Sequence, residues 1–296
     1  MKFSNLGKRL FFALWAIPLG WGIINTNFSV IPASMGTVYP AHLLAIALVM
    51  MACYEYTKML AIVYPSNAFW FSYLWLGLQF ILYIHNDTSF PSTISIYVLL
   101  ILVAAEAVIW GRRNQRNRWV RASLLFIGNA FLNIAAISMM NLYREPFQSL
   151  FISYSHSMLS QLGIVITIGA IFMCDSAAYF TGSLWGRHHF STISPKKTIE
   201  GAVGGLVASL LVCGIGWFFL ADQRYPFWLG IVLGLVIGAF AQIGDLLVSL
   251  IKRYFRVKDA SDIIPGHGGV LDRFDSVFFT APVISLFAWV VSKLFG

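Results

Sequence analysis

The chain has 296 residues, of which 58% are hydrophobic and only 11% charged, with 16% aromatic residues and a net charge of +8. A soluble domain of this size carries roughly 25% charged residues, so a water-soluble globule is excluded and the chain belongs in a bilayer. The basic excess needs no nucleic acid, because loop charges that orient a membrane protein and meet anionic lipid account for it.

In chain order, Met1 to Arg9 and the apolar run behind it imitate a signal peptide, but no small-residue cleavage site follows, and the run reads as a retained helix. A helix needs about 20 apolar residues to cross the hydrocarbon. Nine stretches qualify: 10–31, 38–60, 68–84, 92–110, 120–142, 159–185, 200–221, 226–250 and 275–295. The expected fold is therefore all-α, a polytopic integral membrane protein of about nine transmembrane helices. Of the twenty Lys and Arg residues, seventeen fall on one alternating set of ends and loops, and only Arg144, Arg224 and Lys293 on the other. The positive-inside rule then puts the amino terminus and the basic loops in the cytoplasm of a bacterial-type inner or plasma membrane, with the carboxyl terminus outside.

Informative polar residues gather late, which divides the chain into 1–158, membrane helices of structural or lipid-facing type, and 159–296, a catalytic region with cytoplasmic loops. In the first part, Asn129 and Asn133 lie one turn apart and suit interhelical hydrogen bonds. Glu55, beside Lys58 at i+3, suits a snorkelling pair at a helix end; Glu106 sits near another. The run Arg112 to Arg121 is a topology anchor or a surface that recruits anionic lipid. Cys53, Cys174 and Cys213 all lie in apolar runs and read as buried thiols.

The sixth span carries Asp175, about 15 Å from its inner end. A carboxylate at that depth costs at least about 2.5 kcal/mol and must face a cavity, a cation or a partner; Tyr179 and Gly182 share its face. The following loop, Ser194-Pro195-Lys196-Lys197-Thr198, sets two lysines and two hydroxyls before a helix start, a setting that suits a polyphosphate. Glu200 there can complement the helix dipole. Gly201, Gly204, Gly205 and Ala208 read as close helix packing. Gly230, Gly234 and Gly238 continue as a row into Gln242, Asp245, Ser249 and Lys252; such rows also permit a homodimer. The densest segment runs from Ser249 through Lys252, Arg253, Lys258 and Asp259 to His267, Gly268, Gly269, Asp272, Arg273 and Asp275. Its glycines allow a turn whose amides converge on an anion. Asp245 and Asp272, at a helix end and the next helix start, would with phosphate oxygens and water make a magnesium site.

From Ser249 to Asp275 the order Ser-x-apolar-Lys-Arg, four residues, Lys-Asp, His-Gly-Gly, Asp-Arg-x-Asp resembles the signature of the phosphatidate cytidylyltransferase family, the CDP-diacylglycerol synthases. The Asp175 stretch, the Ser194 loop and the Gly244-Asp245 pair also resemble that family, so the likeness covers about residues 175–276. It implies that CTP and phosphatidate give CDP-diacylglycerol and pyrophosphate, with Mg²⁺ on Asp245 and Asp272 and a second cation left open. It assigns Lys196, Lys197 and Arg273 to CTP phosphates and Lys252 or Arg253 to the lipid phosphate. Ser194, Thr198, Ser249, Lys258, Gly268, Gly269 and Tyr179 join the substrate-binding set. Asp175, Asp259 and Asp275 would bind metal or hold basic residues, and His267 would donate to a phosphate or shape its turn. Rival readings are a CTP-dependent polyprenol or phytol kinase, an ether-lipid synthase, and an ion pathway through Asp175 and Asp245.

Overall fold

The computed structural model describes residues 39–64, 118–143, 147–151, 162–189, 197–264 and 268–295, with Gly22, Ile23, Ser194 and scattered positions from 73 to 81. Among these there are six long helices and no strand: α1 Pro40–Val63, α2 Arg118–Asn141, α3 Leu162–Trp185, α4 Ile199–Leu220, α5 Trp228–Tyr254 and α6 Leu271–Phe295. All six are long and apolar enough to cross a membrane. They correspond to six of the nine predicted spans. The spans predicted at 10–31, 68–84 and 92–110 lie outside the described residues, isolated positions apart.

Two helices outrun their predicted ends by four residues. α5 continues four residues past 250, through Lys252 and Arg253 to Tyr254, and α6 begins at Leu271, not 275. Apolar length marks where a helix meets hydrocarbon, but a helix runs on into the headgroup region as long as its end groups find partners. α6 also contains Pro282, a break in the backbone ladder that membrane helices tolerate.

The chain forms two compact units, residues 1–137 with 252–273 and residues 138–251 with 274–296. In the first, α1 packs on α2 around Tyr56. Its hydroxyl donates to the Leu124 carbonyl at 2.7 Å, and Gly128 leaves the space its ring occupies. Each side-chain amide of Asn129 and Asn133 donates to the carbonyl four residues back in its own helix, at 2.9 and 2.8 Å. The expected interhelical role holds for Asn129, whose Oδ1 accepts from the Cys53 thiol of α1 at 4.0 Å, and is corrected for Asn133, whose bond stays within its own helix.

In the second unit, α3, α4 and α5 pack through small residues. A Cβ on Gly205 would lie 2.8 Å from the Cys174 carbonyl, and one on Gly234 2.7 Å from the Leu210 Cα. Backbones this close exclude any side chain, which is how small residues hold membrane helices together. α4 shows the division plainly. Gly201, Gly205, Ser209 and Cys213 are buried, while Val203, Val207, Leu211 and Ile215 are 47–59% exposed. An apolar stripe left open along a helix is what lipid contact requires, since lipid is as apolar as a core. The glycine rows are thus taken up by packing within this unit. All three cysteines are buried free thiols, as their apolar settings predicted.

Candidate active site

In the unit that holds α4, the polar stripe on α5 starts where its glycine row ends. Gln242 donates to the Ala202 carbonyl at 3.0 Å and so fixes α5 against the first turn of α4. One turn on, the Asp245 carboxylate meets the Lys197 ammonium at 2.7 Å and faces the Ser249 hydroxyl at 3.4 Å. Lys197 reaches it because the α4 start is clamped locally. Thr198 is the N-cap, its hydroxyl accepting from the Gly201 N–H at 3.1 Å, an arrangement that satisfies an otherwise orphaned helix donor. Glu200 accepts from the backbone N–H of Arg187 and His188 at 3.1 and 3.2 Å and lies 2.6 Å from His188 Nδ1. It therefore ties the end of α3 to the start of α4. Ser194 accepts at its carbonyl from the Lys197 N–H at 3.0 Å. Asp175 accepts from the Ser276 hydroxyl at 3.1 Å, and the adjoining Asp275 is buried, with its Oδ1 accepting from the Ser276 N–H at 2.7 Å. Tyr179, expected beside Asp175, is 72% exposed and stacks edge-on with Phe180. Lys196 lies outside the described residues.

In the other unit, Lys252 from the last turn of α5 meets Asp272 Oδ1 at 2.6 Å. Oδ2 of the same carboxylate accepts from the backbone N–H of Ala260 at 2.8 Å and of Gly269 at 3.0 Å. Asp272 thereby gathers the loop that precedes it, which is closed further by Ile264 N–H donating to the Gly268 carbonyl at 2.9 Å. Gly268 has φ +86°, a left-handed conformation that a side chain disfavours. Arg253, Lys258 and Asp259 are exposed around this core, Arg273 follows Asp272 in the first turn of α6, and His267 lies outside the described residues.

Two expectations change here. The turn's amides were predicted to converge on a substrate anion. Those of Gly269, Val270 and Leu271 are instead taken by the chain's own carboxylates, Asp272 and Glu55. Glu55 itself is no snorkelling partner of Lys58. It is fully buried and accepts from the Ser261 hydroxyl as well, while Lys58 lies over the Tyr54 ring. Nothing within a few residues of Glu55 announces this, because its partners are more than 200 positions away.

Among the described residues no three His, Cys, Asp or Glu side chains form a ready-made metal cage. Magnesium seldom needs one; it binds through one or two carboxylates and completes its shell with phosphate oxygens and water. The donors present fit that habit. Asp245 and Asp272 each already hold a cationic group, a lysine ammonium, within 2.7 Å.

The family model described as "Cytidylyltransferase family" matches residues 15–291, which takes in the whole Ser249–Asp275 signature and the ion pairs of both units. The chain belongs to the cytidylyltransferase family. A phosphatidate cytidylyltransferase of Staphylococcus saprophyticus is 33% identical over 206 residues, 67% of this chain and 79% of that protein. One from Synechocystis is 44% identical over 140 residues, 46% of this chain and 47% of its own length. One from Staphylococcus haemolyticus is 44% identical over 117 residues, 39% and 45% respectively. In the latter two the match spans about half of the relative's length.

In this cytidylyltransferase Lys197 and Lys252 are each within reach of one carboxylate, on well-anchored segments.

Proposed function

We propose that this cytidylyltransferase acts on phosphatidate, transferring CMP from CTP to give CDP-diacylglycerol and pyrophosphate. Its family and the names of its relatives support this reading. The observation that carries it is the convergence of signature elements from three separate segments: Lys252 on α5, the Ala260–Gly269 loop and Asp272 on α6 are joined by direct hydrogen bonds.

The reaction asks little of a base. An oxygen of the lipid phosphate, already anionic at neutral pH, attacks the α-phosphorus of CTP in line; the new P–O bond forms as the bond to pyrophosphate breaks. The demand is to bring two polyanions together and to stabilise charge on the leaving group. Lys197, at the α4 start, is assigned to CTP phosphates with Lys196 and Arg273. The positive end of the α4 dipole adds a favourable field there. Ser194, Thr198, Ser249 and Lys258 are assigned to substrate binding as well. Lys252 or Arg253, at the inner end of α5, is assigned to the phosphatidate headgroup. Asp245 and Asp272 would hold Mg²⁺, and each would then release its lysine toward a phosphate. Bound there, the ion supplies charge neutralisation on phosphate oxygens.

The loop charges support an orientation in which these segments face the cytoplasm, with nine spans in all and the carboxyl terminus outside. Reporter fusions at the two termini test it; reporters on the same side would overturn the odd span count.

The decisive assay supplies CTP and phosphatidate to purified protein in lipid micelles and separates the products. CDP-diacylglycerol and pyrophosphate, formed only with a divalent cation, are expected. Lipid phosphate with CDP would instead mark a CTP-dependent kinase, and activity undiminished by chelator would remove the metal assignment.

A further inference from the structure

Outside the groups assigned above, one titratable side chain stands apart. Glu55 lies in the middle of α1, an apolar helix of the first half of the chain, and its relative exposure is 0%. A carboxylate buried there is costly unless its oxygens are fully hydrogen-bonded. Here they are. Oε1 accepts from the Ser261 hydroxyl at 2.5 Å and from the Val270 N–H at 2.8 Å, and Oε2 accepts from the Leu271 N–H at 2.7 Å. Val270 and Leu271 sit at the mouth of α6, where a helix has N–H groups with no partner of its own. Glu55 supplies the cap, from a different helix, and its negative charge suits the positive end of the α6 dipole.

A second observation comes from the opposite side of the contact. A Cβ on Gly269 would lie 2.6 Å from Glu55 Oε2. The second glycine of the His-Gly-Gly turn is therefore the residue that lets this carboxylate approach the backbone. Meanwhile the Gly269 N–H turns the other way, to Asp272 Oδ2. Three consecutive amides are divided between two carboxylates, one from α1 and one from the signature itself.

We infer that Glu55 is the positioning residue of the signature turn: by holding Ser261, Val270 and Leu271 it fixes the backbone from which Asp272 is presented. The inference rests on the reading that Asp272 serves CMP transfer as a metal ligand. It gives the first half of the chain a share in the chemistry, through one fully buried residue whose bonds are all to the chain itself. Glutamine in its place keeps the length but turns an NH₂ toward N–H donors that need an acceptor.

The experiment compares wild type with Glu55→Gln and Ser261→Ala in detergent micelles, by hydrogen exchange and by kinetics. In Glu55→Gln the amides of Val270 and Leu271 should exchange at least about tenfold faster, with peptides from α3 and α4 unchanged. The Mg²⁺ concentration for half-maximal activity should rise about 10- to 100-fold, the usual effect of removing an outer-shell partner of a ligand. A role limited to folding would lower the active fraction and leave that concentration where it was. Ser261→Ala removes one of three bonds and should shift both readings the same way by a smaller factor, which keeps the test open if Glu55→Gln does not fold. Wild-type exchange rates at Val270 and Leu271 together with a wild-type Mg²⁺ dependence would overturn the inference. If wild-type protein forms no CDP-diacylglycerol, the functional reading fails, and the exchange rates alone decide whether Glu55 holds the turn.

Discussion

Asp245 and Asp272 look interchangeable as residue types, yet their surroundings differ sharply. Asp272 is 8% exposed at its side chain and accepts from one ammonium and two backbone N–H groups. Asp245 is 36% exposed and has one short contact, to Lys197, with the Ser249 hydroxyl further off. The first carboxylate is part of the architecture of its loop. The second is held by a single lysine at 2.7 Å. Under the proposed function one of these carboxylates is fixed by its surroundings and the other exchangeable, and preorganisation and turnover place opposite demands on a ligand.

The sharpest way to break this comparison is Asp272→Asn. It turns an NH₂ toward backbone donors and leaves Lys252 without its counter-charge at 14% exposure. Removing one partner of a buried pair typically costs about 3–5 kcal/mol. We expect CDP-diacylglycerol formation to vanish and the thermal midpoint in detergent to fall by several degrees. Asp245→Asn should abolish turnover equally while leaving the midpoint within about a degree, since an exposed pair contributes only about 0–1 kcal/mol. Equal destabilisation by both would erase the distinction.

Packing in the unit around Asp245 offers an intermediate effect. Gly205→Val places a branched side chain where the Cys174 carbonyl leaves 2.8 Å for a Cβ. Overpacking of this kind typically costs about 1–3 kcal/mol, so thermal unfolding should shift without loss of CTP affinity in the folded fraction. A raised KM for CTP would show that α3 and α4 must be in register for Lys197 to work.

How much of this was legible beforehand depended on how local each signal is. Six helices could be read because apolar length is a property of contiguous residues, and the close packing at Gly201, Gly205 and Gly234 because small residues recur along one helix face. The signature from Ser249 to Asp275 was legible as a string of charges and glycines. What the string concealed was who satisfies whom. Its amides look free in one dimension, and only the fold brings Glu55 to them. The same contact explains why α6 starts at Leu271 in a run that reads as polar loop, since the cap comes from residue 55. Local reasoning also misplaced Asn133. An amide in an apolar helix can return to its own backbone four residues earlier as readily as it can cross to a neighbour.

The smallest expected effect concerns the lysines, and it separates the two carboxylates most finely. Lys197→Ala removes a partly exposed partner of Asp245, so stability should move by no more than about 1 kcal/mol. If Lys197 serves CTP phosphates, the loss of one charge-assisted bond, about 1.5–3 kcal/mol, should raise KM for CTP at least about tenfold with kcat little changed. Lys252→Ala makes the contrast, because Asp272 keeps its two backbone donors and so stays in place. Its KM for CTP should hold while the KM for phosphatidate rises. Steady-state kinetics varying each substrate in turn reads both. A rise in the same KM for both variants would mean that the two lysines serve one phosphate group, and the division of labour between the nucleotide and the lipid would have to be redrawn.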